Sequence, residues 1–223
     1  LRRCGKSSLM GMIREELLEQ GVSEESIIYI DLDRHGYRKI KKADQLEELL
    51  ESKLPQERNS LIYLFIDEIQ NVNGFEEVIN GYRTDGGISI FIAGSNSYLL
   101  SGELATKLTG RYLEFELFTL TFEEYVGMKR FYSLPVNPNL SIELNSYILE
   151  GGFPRTVLLD SMEAKRTYIS GVVSEIFEKD IKKRVKIKDV SSFETVRHYI
   201  LNNFGATTSI NTLTESLNKN GIS

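Results

Sequence analysis

The chain has one cysteine, two histidines, four prolines and no tryptophan in 223 residues. A lone Cys4 cannot close an internal disulfide, so no disulfide framework supports the fold. His35 and His198 have no cysteine or acidic cluster at ligand spacing, which argues against a structural metal and leaves them as surface residues. No apolar run is long enough to span a bilayer and no secretory signal is evident, so a soluble cytoplasmic protein with no membrane partner is expected. Positive charge is in deficit, 27 Lys and Arg against 32 Asp and Glu, and the net charge of −5 argues against a surface built to coat nucleic acid. Internal repeats and low-complexity segments are absent as well. What remains is a chain that is 41% hydrophobic and long enough to bury one large or two small cores.

The opening residues carry the most chemistry. Leu1-Arg2-Arg3-Cys4-Gly5-Lys6-Ser7-Ser8 fills all but the first position of the phosphate-loop pattern G-x-x-x-x-G-K-[ST]. A loop that wraps a polyphosphate turns backbone N–H groups inward, and glycine permits that approach. In such a loop Lys6 supplies a point charge to the β- and γ-phosphates and the Ser7 hydroxyl binds Mg²⁺; Arg3, Cys4, Gly5 and Ser8 complete the candidate nucleotide-binding set. Leu9, Ile13 and Leu17 recur every four positions and Gly21 follows, predicting a helix opened by Ser7 whose N-terminus adds its dipole to the anion site. The competing reading is a basic terminus leading into an ordinary amphipathic helix. The pattern's first glycine would precede Leu1, as would the strand feeding such a loop, so that strand is expected to be missing.

A second motif strengthens the first. Leu61-Ile62-Tyr63-Leu64-Phe65-Ile66 is a continuous apolar run ending in Asp67-Glu68. Such a run suits a parallel strand covered on both faces, and open α/β sheets place ligands at strand carboxyl ends. This is the Walker B arrangement, with Asp67 holding Mg²⁺ through water and Glu68 orienting and deprotonating the attacking water. A surface acidic pair after a buried strand would explain either motif alone, but it explains the two in this order much less well. Ile27 to Leu32 and Ile88 to Ala93 read as further strands, with a helical stretch around 74–83 between the Walker B strand and the last one. Gly94-Ser95-Asn96-Ser97 then falls where Ser95 or Asn96 could sense the γ-phosphate or the attacking water, although such residues also make turns and caps. No guanine-reading N-K-x-D occurs, which favours ATP.

These stretches, together with Leu108-Thr109-Gly110-Arg111-Tyr112, Leu120-Thr121-Phe122-Glu123-Glu124-Tyr125, Gly151-Gly152-Phe153-Pro154 and Glu178-Lys179-Asp180-Ile181, make the chain resemble the AAA+-related prokaryotic ATPases with an appended winged-helix region, often called archaeal-ATPase-like. The resemblance covers nearly the whole chain. It implies an α/β fold with an ASCE-type P-loop parallel sheet, ATP with Mg²⁺, and a nucleotide-driven switch. It names no substrate. The expected organisation is a P-loop ATPase core over 1–132 lacking its first strand, a linker and helical lid over 133–189, and a partial winged helix over 190–223. The resemblance places the missing strand between the Walker B side and the sensor side, and its absence is expected to leave two strand edges unpaired or to force them together. Asn220-Gly221-Ile222-Ser223 looks like the turn of a helix-turn-helix, so the chain is expected to be clipped at both ends and to bind ATP poorly as it stands.

Several features admit a plainer reading. Asp44 with Glu47, and Thr121 with Glu124, predict capping boxes that open helices at Gln45 and Phe122. Phe193, Val196, Ile200 and Phe204 are expected to share one face. Six cations between Lys179 and Lys188 could meet phosphate or DNA, but Asp180 and Asp189 dilute them, and a solvated helix face explains them better. Arg111 could stabilise γ-phosphate charge in cis or across a subunit interface in a homo-oligomer, or make a structural salt bridge; Arg155, after Gly-Gly-Phe-Pro, is a weaker candidate for a lid arginine. Two function classes follow. In the first, an ATPase moves its lid and winged helix; in the second, the winged helix binds DNA and nucleotide is a structural or regulatory ligand. Glu68 favours the first, since binding alone needs no general base.

Overall fold

The computed structural model describes residues 2–55, 60–94, 112–181, 189–207 and 209–219. The first part alternates helix and strand: α1 (Lys6–Glu19), β1 (Ile27–Asp31), α2 (Ala43–Lys53), β2 (Ile62–Asp67), α3 (Phe75–Asp85) and β3 (Ile88–Ile92). The three strands form a parallel sheet in chain order, β2 central, with Ile30 opposite Ile66 and Ile66 opposite Ile92. Side chains alternate between the two faces of a strand, so even-numbered and odd-numbered residues separate. Ile30, Leu64, Ile66, Ile90 and Ile92 join Leu46, Leu50, Phe75 and Val78 of α2 and α3 in the larger core. On the other face Tyr29, Phe65 and Phe91 pack with Met10, Ile13 and Leu17 of α1. Helices cover both faces, which is why these strands are apolar throughout.

β2 and β3 are paired directly, from Ile62 opposite Ile88 to Ile66 opposite Ile92, so the strand ending in Asp67 and the strand before Ser95 are neighbours. The ladder closes with Ala93 N–H donating to Ile66 O at 2.9 Å and Ile69 N–H to Ala93 O at 3.1 Å. Both strands are apolar on both faces, and each satisfies the other's edge.

Helix boundaries follow local chemistry with small corrections. α1 begins at Lys6 with Gly5 as N-cap, one residue before Ser7. Its buried stripe is Met10 with Ile13 and Leu17, whereas Leu9 is 37% exposed. α2 opens at Ala43, two residues before Gln45, and Asp44 with Glu47 do not cap it. Instead the Gln45 carboxamide oxygen accepts from Lys41 N–H at 2.8 Å and Lys42 N–H at 3.3 Å. A backbone bond from Asn73 N–H to Lys41 O, 2.9 Å, fixes the preceding residues, so the start is set by a tertiary contact the local pattern does not contain. At α4 (Phe122–Phe131) the expected box is present: Glu124 N–H donates to Thr121 Oγ1 at 3.2 Å, and Thr121 N–H donates to Glu124 Oε2 at 2.7 Å.

A second cluster joins α4 to α5 (Leu140–Glu150) and the short α6 (Pro154–Val157), with Tyr125, Val126 and Val157 at its centre. Gly152 explains part of the Gly-Gly-Phe-Pro run. Its carbonyl accepts from Leu120 N–H at 2.7 Å, and a Cβ there would lie 2.6 Å from Leu120 O, so two backbones meet where only glycine fits. α7 (Met162–Ile176) follows. The chain divides into two compact units, Leu1–Ser174 and Glu175–Ser223. The second holds a π-helical turn (Phe177–Ile181), α8 (Val190–Asn202) and α9 (Ile210–Lys219). Phe193 meets the edge of Phe177 at 6.0 Å, but Ile200 is 57% and Phe204 87% exposed, so the proposed apolar face is covered at one end only. The turn at Asn220–Ser223 and most of the basic run, 182–188, lie outside the described residues. No described helix is long and apolar enough to cross a membrane.

Candidate functional site

α1 leaves the phosphate-loop residues and returns through a short connection to the start of β1, so it runs antiparallel to the strands. Its 14 residues span about 21 Å, more than the length of β1. Its first turn therefore lies at the carboxyl edge of the sheet, where Asp67 and Glu68 end β2 and Gly94 follows β3. Met10, one turn in, packs in the same cluster as Phe65 and Ala93 near that edge.

The loop backbone is shaped for close approach. Arg3 has φ 58° and Gly5 φ 99°, both left-handed. First-turn amides of a helix lack intrahelical acceptors, and the Gly5 cap offers them no side-chain acceptor. Lys6 is half-buried, and Ser7 and Ser8 are exposed. Cys4 differs from the rest of the candidate set. Its side chain is 6% exposed, its thiol donates to Arg2 O at 3.4 Å, and burial pushes the thiol above its ordinary range. Only its backbone can serve a ligand. The Arg3 guanidinium stands 5.5 Å over the Tyr168 ring of α7, which ties the loop to the helical part of the same unit.

Asp67 is 3% exposed and receives Glu68 N–H on Oδ1 at 2.9 Å. Among the described residues it makes no ion pair. A buried carboxylate without a cation is costly, and coordination of a metal ion is one way such a charge is stabilised. Asp31, opposite it in register, contrasts: its oxygens accept from Asp33 N–H at 3.0 Å and Arg34 Nε at 3.3 Å. Glu68 adopts φ 55° and ψ 40°, a left-handed conformation that non-glycine residues seldom hold. Its carboxylate accepts a hydrogen bond from the Gln70 amide. Backbone strain of this kind collects at functional positions.

Gln70 and Tyr29 belong to this neighbourhood and are not among the sequence candidates. Gln70 follows the acidic pair by two residues, and the turn of Ile69–Asn71 folds it back on Glu68. Tyr29 shares the odd-numbered face with Asp67, a parity visible once the strand register is known. Ser95, Asn96 and Arg111 lie outside the described residues. Among the described residues no group of three or more His, Cys, Asp or Glu could hold a metal ion. A cation held by one carboxylate and one hydroxyl would be completed by phosphate and water, as Mg²⁺ at nucleotide sites is.

The comparisons with known proteins accord with this layout. An uncharacterized protein of Haemophilus influenzae is 36% identical over 206 residues, covering 92% of this chain and 50% of the relative. An uncharacterized protein of Methanocaldococcus jannaschii is 32% identical over 215 residues, covering 94% of this chain and 47% of the relative. The chain thus spans about half the length of these curated relatives. A family described as a domain of unknown function matches residues 141–222. A family described as AAA domain matches residues 1–126, more than half of the chain and all of the sheet with its helices, and the chain belongs to that family.

Proposed function

We propose that the protein is an Mg²⁺-dependent ATP hydrolase whose nucleotide cycle works as a switch. The observation that carries this reading is the buried Asp67, without a cation partner among the described residues, followed by a left-handed Glu68 at the sheet edge that also receives Gly5, Lys6 and Ser7. Membership of the AAA family supports nucleotide as the ligand. The absence of N-K-x-D from the sequence supports adenine over guanine.

The roles follow from each group's chemistry. The first-turn amides of α1 and the Lys6 ammonium hold the β- and γ-phosphates. The Ser7 hydroxyl and, through water, Asp67 hold the cation, which when bound offsets negative charge on the phosphate oxygens. The Glu68 carboxylate accepts a proton from the attacking water and orients it toward the γ-phosphorus. Gln70 donates to that carboxylate and fixes its direction. Ser95 or Asn96 supplies the sensor contact after β3, and Arg111 adds positive charge at the γ-phosphate. The helical segments over 133–189 act as the moving lid, and 190–223 as the start of a winged helix. DNA binding with nucleotide as a passive ligand is less favoured, because it leaves the strained Glu68 without a task.

Three variants of the full-length protein test the reading. Glu68→Gln keeps ATP binding and slows hydrolysis by about 10²–10⁴-fold. Lys6→Ala abolishes nucleotide binding, whereas Lys183→Ala, in the basic run, leaves it unchanged. Near-normal turnover in Glu68→Gln, or equal losses from the two lysine variants in a nucleotide titration, would overturn it.

A further inference from the structure

We infer that Tyr168, on α7, is a positioning residue for the phosphate loop: its ring carries the Arg3 guanidinium and so keeps the loop in the shape that takes a phosphate. This rests on the functional reading above and adds to it a residue of the helical segment, far along the chain from Lys6.

The loop needs support from outside itself. Arg3 has φ 58°, a left-handed conformation that a residue with a side chain adopts at a cost and keeps only where its surroundings impose it. Gly5, at φ 99°, meets no such cost. Left-handed residues in a tight turn bring successive N–H groups toward one anion, so the shape of this stretch decides how well the loop holds phosphate. Two neighbouring side chains fasten it. Cys4 is buried, and the Arg3 guanidinium stands 5.5 Å over the Tyr168 ring, whose negative face attracts the cation.

The platform under Arg3 is rigid. Lys165, Tyr168 and Val172 lie along one face of α7. Lys165 is buried and pairs with Glu150 of α5 at 2.6 Å, and Val172 is buried as well, so this face is fixed on both sides of the ring. Phe153 packs against the ring at 6.4 Å and 80°, edge to face. Phe153 in turn follows Gly152, whose carbonyl is bonded to Leu120 N–H. Tyr168 is therefore the fixed partner and Arg3, an exposed residue of a loop, the movable one. A helix outside the sheet thereby tunes how tightly nucleotide is held.

The test is a double-mutant cycle on Mg-ADP affinity, measured by calorimetry on the full-length protein. ADP brings a β-phosphate to the loop and does not turn over. Tyr168→Leu removes the ring face and Arg3→Gln removes the cation. Each is expected to weaken Mg-ADP affinity by about 2–5-fold, the size of one exposed cation–π contact. The double variant is expected to be no weaker than the weaker single one, and Tyr168→Phe, which keeps the face, to bind as wild type. The thermal midpoint of the nucleotide-free protein records separately what Tyr168→Leu costs in packing against Phe153. Tyr168→Met, which fills the same space, takes its place if that variant does not fold. Wild-type affinity in Tyr168→Leu, full additivity with Arg3→Gln, or an equal loss in Tyr168→Phe would overturn the inference while leaving the ATPase reading intact. A wild-type protein that takes up no Mg-ADP would overturn both.

Discussion

Among the described residues three carboxylates are almost fully buried, Glu76 at 1% exposure, Glu143 at 2% and Asp67 at 3%, and the last two are held in opposite ways. Glu143, on α5, accepts from the Lys129 ammonium and from Asn137 N–H at 2.7 Å. Burial alone would raise its pKa, but the Lys129 and Asn137 contacts outweigh it and hold the carboxyl below its ordinary range. Nearby, Glu150 pairs with Lys165 at 2.6 Å and accepts the Tyr125 hydroxyl at 2.9 Å, so this helical cluster supplies its own counter-charges. At the sheet edge Asp67 accepts from Glu68 N–H at 2.9 Å and, among the described residues, makes no ion pair. The first arrangement is complete in the free protein. The second leaves a buried negative charge whose counter-ion, on the proposed reading, would be the bound cation, and this difference between two similarly buried groups says more than their burial does.

The sharpest way to break the comparison is to neutralise each carboxylate in turn. Glu143→Gln leaves the half-buried Lys129 without its carboxylate partner and is expected to cost up to about 3 kcal/mol in urea unfolding. Asp67→Asn removes an uncompensated charge and is expected to change stability of the ligand-free protein by less than about 1 kcal/mol, while Mg²⁺-dependent ATP affinity is lost. A cost at Asp67 equal to that at Glu143 would mean that a cation partner is already in place. The pH dependence adds a second check. Because the folded-state pKa of Glu143 is depressed below 4.5, its contribution is present above that value and is lost as pH falls through the lower, folded one. Wild type and Glu143→Gln should therefore converge in stability in strong acid and diverge as pH rises past 4.5.

What the sequence reveals divides along the same line. The strands were legible because each is a contiguous apolar run, and the Thr121–Glu124 cap because its spacing is local. Strand adjacency was not, since the direct pairing of β2 with β3 is a property of the sheet and not of either segment. Nor was the start of α2, which depends on Asn73 reaching Lys41. Lys129 with Glu143 and Lys165 with Glu150 are 14 and 15 residues apart in different helices, beyond any periodic pattern. At the site the residue types were legible, whereas the left-handed turn at Glu68, the fold-back of Gln70 and the register placing Tyr29 on the same sheet face as Asp67 exist only in three dimensions.

A smaller effect tests how the helical cluster is joined to the sheet-bearing part of the same unit. Gly152→Ala puts a Cβ 2.6 Å from Leu120 O, which is backbone and cannot yield cheaply. The expected cost is about 1–3 kcal/mol, with loss of the Leu120 to Gly152 bond seen as faster amide exchange at Leu120. Gly171→Ala, in α7, where a Cβ would meet nothing within 4 Å, is the control and should be neutral or stabilising. Equal behaviour of the two would remove the close approach as the reason for the Gly-Gly-Phe-Pro run.

The smallest effect has the opposite sign and sharpens the comparison most. Glu68 holds a conformation, φ 55° and ψ 40°, that glycine adopts without steric cost and a side chain resists. If the strain serves catalysis, relieving it should stabilise the fold and disable the site together. Glu68→Gly gives up the Gln70 hydrogen bond and adds chain entropy to the unfolded state, both of which offset the relief. The net expectation is a gain of about 0.5–1 kcal/mol, less than the roughly 1–3 kcal/mol of strain such a residue carries. Asp67 and Gly5–Ser7 are untouched, so ATP and Mg²⁺ binding persist while hydrolysis falls as in Glu68→Gln. The Glu68→Gln variant keeps a full side chain and with it the strain, and so should show no gain. A stability loss in Glu68→Gly would mean that the carboxylate's contact with Gln70 outweighs the backbone strain, placing Glu68 with Glu143 among the structurally satisfied charges.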